Sequence, residues 1–113
     1  MTMHDLLQMI VDRGASDLHI VVGSAPSIRV NGELIGVEGV PPLTSEHTKI
    51  LIESLMTDEQ RNLYEVNKEI DFSYTFESQG RFRVNAYTQQ GSQAAALRLI
   101  PSTIRSIDEL KLP

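Results

Sequence analysis

Apolar residues recur at helical spacing through MHDLLQMIVDR (3–13), where Leu6/Ile10 and Leu7/Val11 form i,i+4 pairs. Thr2 is the expected N-cap and Gly14 the expected C-terminal stop. SDLHIVV (16–22) reads as a strand closed by Gly23, and SIRV-NG-ELIGV as a hairpin turning on Asn31-Gly32. EGVPPLT (38–44) reads as a loop ending in the Pro41-Pro42 pair. Thr44 or Ser45 then caps a helix in which Ile50, Leu51, Leu55 and Met56 are expected to face inward. Thr57-Asp-Glu-Gln60 has capping-box form and starts a second helix through Leu63, Tyr64 and Val66.

From Ile70 the period changes to two. Ile70, Phe72, Tyr74 and Phe76 alternate with Asp71, Ser73 and Thr75, the pattern of a half-buried strand. Further strands are expected near 81–89 and 92–100, with Pro101 ending the sheet and one short helical turn before Pro113. This order predicts an α+β fold, an antiparallel sheet of about six strands with helices packed on one side.

The last two strands carry Arg81, Arg83 and Arg98. A two-residue turn at Gln90-Gly91 sets Arg83 opposite Arg98, Asn85 opposite Ala96 and Tyr87 opposite Ala94. The other face then pairs Phe82 with Leu99, Val84 with Leu97 and Ala86 with Ala95, a wholly apolar core side that a one-residue slip would destroy. For the preceding connection the expectation is a Ser78-Gln79-Gly80 turn with Gly80 left-handed. That register joins Phe76 to Phe82, Tyr74 to Val84, and Glu77 to Arg81 as a surface ion pair. Like charges directly opposite on one face cost about 0.2–1 kcal/mol. Arg83 and Arg98 therefore need negative charge, either from an anion such as phosphate or from acids elsewhere in the fold, Asp17 or Asp71.

Composition sharpens this point. The 113 residues carry a net charge of −5, which argues against a nucleic-acid partner. Residues 1–77 hold thirteen acids and five bases, whereas residues 78–107 hold four arginines and no acid. Cysteine is absent, so disulfides, thiolate metal sites and cysteine nucleophiles are excluded. No apolar run approaches the roughly 20 residues of a transmembrane helix, and the N-terminus does not read as a signal peptide. There is no G-x-x-x-x-G-K-[ST] loop, and His4, His19 and His47 are too scattered for metal-ligand spacing. For His19, on the strand face shared with Asp17, a structural hydrogen bond is expected. The chain alone is expected to be catalytically inactive.

G-A-S-D-L-H-I (14–20) with I-R-V-N-G-E-L (28–34), R-F-R-V-N-A-Y (81–87), and A-A-L-R-L-I-P (95–101) followed by S-I-D-E-L-K-L-P span essentially the whole chain. Together they closely resemble the N-terminal domain of type IV pilus retraction ATPases, the PilT group of the secretion ATPase superfamily. The resemblance implies a PAS-like domain over 1–101 and, over 102–113, the start of a linker to a RecA-like ATPase domain carrying the Walker motifs. It further implies a hexameric motor that powers pilus retraction and twitching motility with ATP and Mg2+. In such a motor this domain packs on the ATPase domains of its own chain and of the adjacent subunit. The motor would be cytoplasmic, peripheral at the inner membrane, and engaged with the pilus platform protein there. Arg83 and Arg98 match the family's phosphate-reaching arginines and Arg81 is a third candidate, whereas Gln90 stands where many relatives have a basic residue. A pilus-assembly or type II secretion ATPase, or a free-standing PAS-like binding module, is the alternative.

Overall fold

The computed structural model describes residues 1–77 and 79–100, so the expectations for residues 101–113 lie outside the described residues. The first helix, α1 (Met3–Arg13), starts where Thr2 and Asp5 satisfy each other's backbone. The Thr2 hydroxyl accepts from Asp5 N, and the Asp5 carboxylate accepts from Thr2 N, a complete capping box. Gly14, left-handed at φ 66°, ends the helix, and Met3, Leu6, Leu7 and Ile10 face the core. Thr44 caps α2 (Ser45–Glu53), and a second capping box between Thr57 and Gln60 starts α3 (Asp58–Asn67).

The strands are β1 (Asp17–Ile20), β2 (Ser27–Val30), β3 (Glu33–Gly36), β4 (Glu69–Phe76), β5 (Gly80–Gln89) and β6 (Ser92–Ile100). They form one six-stranded antiparallel sheet in the order β3-β2-β1-β6-β5-β4. β1 is shorter than its sequence pattern suggests, because Val22 leaves the sheet to bridge Leu43 in parallel. Asn31 and Gly32, both at positive φ, make the β2–β3 turn, and Gln90 and Gly91 do the same between β5 and β6. This paired positive φ is the signature of a tight hairpin matched to strand twist.

One face of the sheet is apolar. Ile28, Leu18, Leu97 and Val84 lie side by side across four strands and are fully or almost fully buried. They join Leu6, Leu7 and Ile10 of α1 and Leu51 and Ile52 of α2 in a single core cluster. Burying each such side chain contributes about 1.5–3 kcal/mol, so this layer dominates the stability of the fold. At one end, α3 is tied to β5 by the hydrogen bond between the hydroxyls of Tyr64 and Thr88.

Expectations are corrected for Ile50 and for the β4–β5 connection. Ile50 does not face inward but is 61% exposed, and Ile52 takes the buried position on α2. On α3 only Tyr64 is buried, leaving Leu63 and Val66 exposed. The β4–β5 register differs by two residues, with Phe76 opposite Gly80, Tyr74 opposite Phe82, and Thr75 opposite Arg81. A two-residue shift keeps every side chain on its own face, so the hydrophobic pattern is blind to it. The positive φ of this turn belongs to Glu77, whereas Gly80 is a strand residue. A Cβ at Gly80 would stand 3.0 Å from Leu99 Cδ1, so glycine serves close packing there rather than a left-handed turn.

Candidate anion-binding site

The opposite face of the sheet carries the charge. Strand pairing lines up Arg29, Asp17, Arg98, Arg83 and Ser73 in one row across β2, β1, β6, β5 and β4. Adjacent strands lie about 4.8 Å apart, so neighbouring groups in this row are within reach of a common ligand. The next row holds Ser27, His19, Ala96, Asn85 and Asp71. Between the two rows is a shallow depression of about 210 Å3 lined by Asp17, Asp71, Arg83, Asn85, Ala96, Leu97 and Arg98.

The expected opposition of Arg83 and Arg98 is present. Their carboxylate neighbours behave differently from each other. Asp17 Oδ2 is 3.6 Å from Arg98 Nε, and the Ser16 hydroxyl donates to Asp17 Oδ1. Asp71 instead accepts from Asn85 Nδ2 at 3.4 Å. Arg29, directly across from Asp17, donates from Nη1 to the Gly32 carbonyl at 3.0 Å. Among the described residues Arg83 makes no ion pair. Of the two acids weighed for this role, Asp17 completes one arginine and neither completes the other.

Arg81 lies on the same face, opposite Thr75 and Ile100, and also makes no ion pair among the described residues. The expected pair with Glu77 is absent. Glu77 Oε2 is 3.1 Å from His4 Nε2, because the shorter β4–β5 connection carries Glu77 toward the start of α1. Among the described residues His19 Nε2 is buried with no hydrogen-bond partner, so the structural bond expected of it is not made at that nitrogen there. Ala96 leaves the floor of the depression open, whereas Ala94 is buried opposite Tyr87. Asn85 was not singled out by sequence reasoning, yet its position two residues from Arg83 is the signal that places it on the same face. The row offers two exposed guanidinium groups against one carboxylate, a donor set suited to an oxyanion with several acceptor oxygens.

No protein-family model matches the chain. It is 39% identical over 110 residues to the type IV pilus retraction ATPase PilT of Pseudomonas aeruginosa, covering 97% of this chain and 32% of that protein. A twitching motility protein of Neisseria gonorrhoeae is 41% identical over 88 residues, covering 78% of this chain and 23% of that protein. Among solved structures, the pilus retraction motor PilT with bound ADP superposes with a TM-score of 0.81 at 35% identity. The match covers 90% of this chain and 30% of that one. The chain thus spans about a third or less of the length of the relatives it matches. Matching sequence along nearly its whole length, and a matching six-stranded fold, make this chain a member of the N-terminal domains of PilT-like ATPases.

Proposed function

We infer that this chain is the N-terminal, PAS-like domain of a hexameric ATPase that powers type IV pilus retraction and twitching motility. Residues 1–101 form the domain, and 102–113 begin the linker to a RecA-like domain that binds ATP and Mg2+. Arg83 and Arg98 reach the nucleotide phosphates, with Arg81 at the margin of the same face, while the domain packs on the ATPase domains of its own chain and of the adjacent subunit. The motor works in the cytoplasm against the inner-membrane platform protein of the pilus.

The observation that carries this reading is the direct opposition of Arg83 and Arg98 with a single carboxylate, Asp17, in ion-pair contact with them among the described residues. Two guanidinium groups held in register stabilise the charge that develops on a transferring phosphoryl group, the task of arginine fingers in other nucleotide hydrolases. The bound ADP in the retraction-motor relative supports a nucleotide as the anion.

The test is ATP turnover by the complete protein. Arg83→Ala and Arg98→Ala should each leave the fold intact, by circular dichroism, and lower turnover by about 10³-fold or more, the scale set by arginine fingers. Turnover unchanged in both variants overturns the assignment.

A further inference from the structure

The two opposed arginines are not equivalent. Asp17 sits on a central strand with its side chain only 14% exposed, whereas the Arg98 side chain is 74% exposed. The carboxylate is therefore the anchored member of the pair and the guanidinium the one with freedom to move. At 3.6 Å the contact between them is an ion pair without a hydrogen bond. A phosphate oxygen would do better, since charge-assisted bonds from arginine settle near about 2.7–2.9 Å. Arg83 has no such tether among the described residues. Asp71, the other carboxylate lining the depression, is engaged by Asn85 rather than by an arginine.

We propose that Asp17 is a built-in competitor for Arg98, holding that arginine in the row and lowering the affinity of the face for a polyphosphate chain. Arg83 makes the first contact with the anion, and Arg98 joins only by exchanging Asp17 for a phosphate oxygen. Asp17 is thus a positioning residue whose charge tunes how readily the anion is taken and released. This rests on the reading of Arg83 and Arg98 as phosphate ligands.

The probe is inorganic tripolyphosphate, titrated into this chain at low ionic strength by calorimetry, with folding of each variant checked by circular dichroism. Asp17→Asn and Asp17→Ser should each tighten binding about three- to tenfold, the scale of removing one like charge from beside a multivalent anion. Either variant decides if only one folds. Asp71→Asn removes an equal charge from the same depression but frees no arginine among the described residues, so it reads the charge effect alone and should tighten binding less than Asp17→Asn does. In an Arg98→Gln background the Asp17→Asn gain should shrink to that of Asp71→Asn, a coupling that a purely structural role for Asp17 would not produce. If Arg83→Gln and Arg98→Gln weaken binding but neutralising Asp17 tightens it no more than Asp71→Asn does, the competitor role is wrong and the phosphate reading stands. If the arginine variants bind as wild type, or wild type does not bind, both fall.

Discussion

Arg83→Gln and Arg98→Gln should move the stability of the ligand-free fold in opposite directions, although the two residues face each other across one hairpin. Glutamine keeps most of the stem and removes the charge. In the parent, two like charges directly opposite on a strand pair cost about 0.2–1 kcal/mol. Coulomb's law gives about 0.6 kcal/mol for unit charges about 7 Å apart in water. Arg83→Gln relieves this repulsion and breaks no ion pair among the described residues, so it should stabilise by about 0.2–1 kcal/mol. Arg98→Gln relieves the same repulsion but loses the 3.6 Å contact with Asp17, which at this exposure contributes at most about 1 kcal/mol. It also leaves a carboxylate that is 14% exposed with the Ser16 hydroxyl as its one partner among the described residues, so the net change is a loss of about 0–1 kcal/mol. Urea unfolding at low ionic strength, with equal m-values, reads the difference between the variants as about 0.2–2 kcal/mol. Repeating it at about 1 M salt, where the screening length is about 3 Å, should collapse that difference. Equal effects of the same sign, or a difference that persists in high salt, would refute the electrostatic account.

Two further outcomes test the frame that holds the row. Gly91→Ala should cost about 1–2 kcal/mol in urea unfolding, because Gly91 sits at φ 81° with nothing near a new Cβ, so the whole cost is conformational. Gly36→Ala, equally uncrowded but without a positive φ, is the control, and equal losses would refute the turn assignment. The backbone N–H and hydroxyl of Thr2 hold the Asp5 carboxyl below the ordinary carboxylate range. A depressed folded-state pKa contributes stability that is present above the unfolded value and lost as pH falls through the folded one. An NMR titration should find Asp5 low in the parent and moved upward in Thr2→Val, which removes the hydroxyl but keeps the N–H. No movement would exclude the hydroxyl as a cause.

The β5–β6 hairpin was legible to the residue, because a wholly apolar face and an Asn- or Gln-Gly turn leave one register open. The Thr2 cap, the Thr57–Gln60 capping box and the Asn31-Gly32 hairpin were legible for the same reason: their chemistry is local. The β4–β5 register was not, since Ser78-Gln79-Gly80 and the observed connection keep the same faces and differ only in which residue bends. Nor was the fate of Ile50, Leu63 and Val66, because three short helices cover one sheet and apolar periodicity does not say which turns lie over it. The charge balance of the site depended on topology. Asp17 and Asp71 were both candidates until the central pairing of β1 with β6 set Asp17 directly beside Arg98. At that distance along the chain, only the assembled sheet could choose between them.

That same central pairing has a consequence for partly folded forms. The β1–β6 seam joins an amino-terminal unit, α1 with the first three strands, to the carboxy-terminal β4–β5–β6 meander. Closing it requires the longest loop in the sheet, so its ordering entropy is repaid only by the complete core. Any species in which the seam is open separates Asp17 and Arg29 from Arg98 and Arg83. The meander alone then presents its arginines without the acid that tempers them, and the amino-terminal unit presents the acid without its arginine. Balanced charge on this face is thus a property of the whole sheet, complete only when the chain has finished folding.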